Sequence, residues 1–135
     1  ATIRVRTPKL QTATFTYRWF ATAPQRITSL YQHLLKAQWI APDTNPDDFS
    51  AIFEGNPSTA RIKWIGKQAY LYYLIRQLVD LQLVSIPQNA SVWQIVESHF
   101  LDKNSRPFHN FNKQKEPIKA KAAIDKLIEI LQPSA

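Results

Sequence analysis

The chain has 135 residues, 44% hydrophobic and 20% charged, which is the composition of an ordinary globular protein long enough to bury a core. It carries no Cys, so disulfides and thiolate metal sites are excluded. It also has no apolar run of about 18 residues, the length a membrane-spanning helix needs. The formal charge of +7 favours a polyanionic partner such as nucleic acid.

Two glycines stand against nine prolines, so the elements are stopped by proline more than by glycine. Having no Met and starting at Ala1, the chain reads as a processed product or an excised part of something longer. No signal-peptide pattern is read, and the expected compartment is the cytoplasm.

Residues 2–6, TIRVR, alternate apolar and basic. Residues 12–20, TATFTYRWF, set Ala13, Phe15, Tyr17 and Trp19 on one face and Thr14, Thr16 and Arg18 on the other. Period two with Thr and aromatics is a strand signal. With Thr7-Pro8-Lys9 as the turn region, the reading is an N-terminal β-hairpin over 2–20 whose outer face is basic and Thr-rich.

Pro24 opens a helix over about 25–38, with Ile27, Leu30, Tyr31, Leu34 and Leu35 at helical spacing. Asp43, Asn45, Asp47 and Glu54 match ligand positions of an EF-hand loop, but the required glycine is replaced by Asp48, and Pro46 stiffens the turn. The pattern reads instead as a helix start. Asn45 is its N-cap, Pro46 its first residue, Asp47 and Asp48 sit at its positive end, and Gly55 is the left-handed cap beyond it.

Arg61 to Ile65 alternates again and reads as a short strand, able to join the N-terminal hairpin as a third strand. Gly66 begins the longest apolar-periodic helix, running towards Val84 on Leu71, Leu74, Ile75, Leu78 and Leu81. Ser91 and Gln94 form a capping box for a helix to about Leu101. Residues 102–117 are polar and basic and read as irregular, with Phe108, His109 and Phe111 among them. A final helix covers Ile118 to Leu131.

The expected fold class is therefore α+β. It is a single domain over 1–135, mainly helical with about five helices in 24–132, with a small N-terminal antiparallel hairpin or sheet and a helix-turn-helix-like core.

Chemistry is sparse. There is no phosphate-cradling glycine loop, no metal-ligand spacing of His, and no nucleophile signature, since the spacing of Ser29, His33 and Asp47 licenses nothing. No catalytic residue, metal or cofactor is expected.

Charge is the stronger signal. Arg4, Arg6, Lys9 and Arg18 stand without an acid in residues 1–22. Lys103, Arg106, Lys113, Lys115, Lys119 and Lys121 stand against Glu116 alone. The segment 23–57 between them is slightly acidic. The candidate nucleic-acid contacts are accordingly Arg4, Arg6, Arg18, Lys103, Arg106, Lys113, Lys115, Lys119 and Lys121. Duplex DNA is the expected partner, held by its phosphates. Two other readings stand beside it: an interaction domain for an acidic protein, and an enzyme- or nuclease-associated subunit lacking its partner.

The stretch Phe53, Gly55, Ile62, Trp64, Gly66, Leu71, Leu74 and Leu78 resembles the C-terminal region of RteC-type proteins, regulators carried on conjugative mobile elements. Leu30, Leu34, Ile40 and Phe49 extend the resemblance upstream, and Trp93 and Phe100 extend it downstream, over about residues 27–131. It implies a mainly helical domain with a helix-turn-helix-like DNA contact and transcriptional control of element excision or transfer. This chain departs from that pattern in two ways. The connection from Val84 to Ser91 exceeds the turn of a compact helix-turn-helix. The helix that would read DNA, Ser91 to Leu101, carries Glu97 and His99 but no Arg or Lys.

Overall fold

A computed structural model describes residues 13–56, 58–88, 90–108 and 120–132. In chain order these residues form β1 (Thr16–Tyr17), α1 (Pro24–Lys36), α2 (Pro46–Ala51), β2 (Ile62–Lys63), α3 (Gln68–Asp80), β3 (Val84–Ser85), α4 (Val92–His99), β4 (Phe100–Leu101) and α5 (Lys121–Leu131). The α+β, mainly helical class is as expected, with five helices among the described residues.

β1 pairs antiparallel with β3, setting Thr16 opposite Ser85 and Tyr17 opposite Val84. Its other side is bonded too: the amides of Phe15 and Tyr17 donate to the carbonyls of Ile52 (2.8 Å) and Phe53 (2.9 Å). The period-two reading of its faces is mostly right. Phe15 and Tyr17 are buried while Thr16 and Arg18 are exposed. Thr14 is the exception, buried where it donates to the Asn56 carbonyl at 3.0 Å. The partner expected for this strand, residues 2–6, lies outside the described residues.

The strand at Ile62–Lys63 does not add to β1. It pairs parallel with β4, Ile62 opposite Phe100 and Lys63 opposite Leu101, in a second two-stranded sheet. Only tertiary packing settles this choice, because two residues of ladder carry too little pairing preference of their own.

The two 13-residue helices, α1 and α3, end in the same way. After α1, the amide of Gln38 donates to Leu35 and that of Trp39 to Leu34; after α3, Gln82 donates to Val79 and Leu83 to Leu78. These are Schellman closures, and their left-handed residue is a glutamine in both, Gln38 at φ 63° and Gln82 at φ 58°. α3 therefore stops at Asp80 instead of running to Val84, and Leu83 turns the chain inward to start β3.

Helix starts also separate sequence signals from structure. Asn45 caps α2 as expected, its side chain accepting the Asp47 amide at 2.7 Å. Ser91 precedes α4 but makes no side-chain cap bond, so the capping box is not formed. Ser91 and Gln94 are both exposed, so water competes for their hydrogen bonds. Gly66 lies before α3, whose N-cap is Lys67. A Cβ on Gly66 would stand 3.1 Å from the Trp39 ring, so the glycine serves a close approach instead of a helix start.

One hydrophobic cluster joins these elements, from Phe15 and Tyr17 through Trp64, Leu71, Leu74 and Leu78 to Ile124 and Leu131. α5 packs on both α3 and α1, and α1 on α2. His99, fully buried, bridges distant backbone. Its ring nitrogens lie 2.6 Å from the Ala60 carbonyl and 2.9 Å from that of Ala13. Among the described residues no helix is long and apolar enough to cross a membrane.

Candidate nucleic-acid interface

Alternation along β2 sorts its side chains. Ile62 and Trp64 go into the core, while Arg61 and Lys63 stay half-buried at the rim. The Trp64 amide extends the pairing by donating to Leu101 at 2.7 Å. Trp64 Nε1 donates to the Lys67 carbonyl at 3.0 Å, which fixes the backbone from which the exposed Lys67 projects.

Beyond β4, residues 102–107 form a tight turn, while 109–117 of the stretch expected to be irregular lie outside the described residues. The Asp102 amide donates to Arg106 at 2.7 Å, that of Ser105 to Asp102 at 2.9 Å, and Leu101 bridges Pro107. Asp102 Oδ1 accepts the amides of Asn104 (2.8 Å) and Arg106 (3.0 Å). The Arg106 amide is the main cause holding the Asp102 carboxyl below its usual range, helped by the Asn104 amide and by the charges of Arg106 and Lys103. Buried Phe108 anchors the far side of the turn, which presents Lys103 and Arg106 exposed.

Pairing of β2 with β4 sets this turn beside the start of α3. Between them is an open cleft of about 270 Å³, lined by Trp64, Gly66, Lys67, Lys103, Asn104 and Phe108, with Asp102 as its acid. A neighbouring cleft of about 220 Å³ holds Arg61 and Lys63 together with Asp43 and Asp48. The Arg61 guanidinium is turned back on its own chain, donating to the carbonyls of Thr59 and Ala60 at 3.2 Å each. A third, about 360 Å³, lies between α3 and α4, where Tyr72 stacks on Trp93 and Arg76 is paired with Asp80 at 3.5 Å.

Of the expected contacts, Lys103 and Arg106 fall together on the turn after β4. Arg18 is exposed at the end of β1, its guanidinium 5.1 Å from the centre of the Trp19 ring. Lys121 is exposed as the first residue of α5. Arg4, Arg6, Lys113, Lys115 and Lys119 lie outside the described residues. Lys67 was missed by sequence reasoning. It was absorbed into a helix start, and its neighbour Lys103 is distant in sequence, so no local charge run marks the pair.

No family model matches this chain, and no curated protein or solved structure is significantly similar to it.

Proposed function

We propose that the chain is a non-enzymatic, DNA-binding regulatory domain working in the cytoplasm, and that it holds duplex DNA chiefly through phosphate contacts. The observation that carries this reading is the exposed pair Lys67 and Lys103 on one cleft, with Asp102 as its acid and Arg106 exposed on the same turn as Lys103. Asp102 spends one oxygen on two backbone amides, so its charge is partly answered by the turn itself. The resemblance of residues 27–131 to RteC-type regulators supports the same class.

Lysine ammonium groups meeting phosphates release condensed counterions, and that release supplies affinity without reading sequence. α4 carries neither Arg nor Lys, which argues against base readout from a recognition helix. The domain then contributes phosphate affinity more than sequence choice.

The test is retardation of a duplex oligonucleotide at several salt concentrations. Retention at about 50 mM salt should fall steeply towards about 200 mM, by a factor on the order of ten or more for a few phosphate contacts. No retention on DNA or heparin at the lower salt, with co-purification of one acidic protein, would replace this reading by that of a protein-interaction domain.

A further inference from the structure

The nucleic-acid reading leaves open which surface meets the phosphates, and this inference rests on that reading. We propose that a backbone phosphate seats in the cleft between Lys67 and Lys103, at the junction of the start of α3 and the turn after β4.

These three clefts among the described residues differ in how their cations are answered. Arg76 is already paired with Asp80. Arg61 is occupied by two carbonyls, and it shares its cleft, with Lys63, between Asp43 and Asp48. Lys67 and Lys103 are both exposed and make no ion pair among the described residues, and the Lys67 ammonium lies 6.0 Å from the centre of the Tyr70 ring, a contact weaker than an ion pair. The acid in their cleft, Asp102, is bonded to the Asn104 and Arg106 amides. Two ammonium groups thus flank a concavity of about 270 Å³, with Asn104 also lining it. The mounting is rigid on both sides: the Lys67 carbonyl is fixed by the buried Trp64 indole, and the Lys103 turn is closed by backbone hydrogen bonds and anchored by Phe108. Cations on fixed backbone lose less freedom on binding than cations on a loose tail.

The experiment compares two variants of equal charge loss, Lys67→Ser with Lys103→Ser, and Arg61→Ser with Lys63→Ser, in binding to a labelled duplex across a salt series. The first pair should lower the slope of log affinity against log salt by about one, the one phosphate contact that the two lysines share. The second should lower it by less than half as much. Equal effects of the two pairs, or no effect of the first, would overturn the proposal while DNA binding itself stands. Failure of the unaltered chain to bind duplex would instead remove the reading beneath it. A second measurement needs no variant. On titrating duplex into the labelled protein, the backbone amide signals of Gly66, Lys103 and Asn104 should move first. Shifts confined to other residues would refute the cleft as the seat.

Discussion

The hydroxyl of Tyr17 donates to the carbonyl of Leu131 at 2.6 Å, joining the first strand to the last turn of the last helix across 114 positions of sequence. That carbonyl belongs to the helix end, where intrahelical donors have run out. Tyr17 is buried and Leu131 is fully buried, so no water replaces the bond. Tyr17→Phe should therefore destabilise the protein by about 1–3 kcal/mol, the cost of a buried acceptor left unpaired. Urea denaturation of the two proteins measures it. An unchanged midpoint would show that the carbonyl finds another donor.

Leu74 stands at the centre of the α3 stripe, 3% exposed. Leu74→Ala should cost about 2–5 kcal/mol, the range for a large-to-small change in a packed core. A thermal or chemical denaturation difference below about 1 kcal/mol would mean that the α3 core collapses around the smaller side chain.

The two helix-ending glutamines are a reserve of stability. Gln82 at φ 58° occupies a conformation that costs an L-residue about 1–2 kcal/mol and costs glycine almost nothing. Gln82→Gly should raise the midpoint of unfolding, by a net of about 0.5–1 kcal/mol once the greater freedom of glycine in the unfolded chain is counted. Gln82→Val should lower it, because a branched Cβ fits that region worst. Gln38→Gly should behave as Gln82→Gly does. A loss of stability on both glycine substitutions would show that the glutamine side chains hold the helix ends by bonds of their own.

Acid should open the turn that carries Lys103. The Asp102 carboxyl is held below its usual range chiefly by the Arg106 amide, so the unfolded chain takes up the proton more readily than the folded one. The stabilisation is complete above the ordinary aspartate value of about 3.9 and is lost as pH falls through the lower folded value. The amide proton shifts of Asn104 and Arg106 should follow the Asp102 carboxyl with a midpoint below about 3.9. A midpoint at or above that value would contradict the bonded turn.

Much of the helical frame was legible from local rules. Pro24 and the Ile27, Leu30, Leu34 spacing gave α1, Asn45-Pro46 gave α2 with its cap, and the leucines of 71–78 gave α3. Such signals are local, because capping and apolar periodicity act within a few residues. The strands were legible as faces but not as pairs. Phe15 and Tyr17 pointed inward as read, yet β1 found Val84–Ser85, and Ile62–Lys63 found Phe100–Leu101.

The site divides along the same line. Lys103 and Arg106 could be marked from a basic segment alone, and the meeting of Lys103 with Lys67 could not. By itself the sequence determined which residues are apolar, where helices start, and that the charge is unevenly spread. Tertiary structure alone decided which strands pair, that His99 clasps Ala13 and Ala60, and that two lysines 36 positions apart in numbering face one cleft. Pairing between distant segments depends on the whole core closing around Trp64 and Phe100, whose burial no short window of sequence contains.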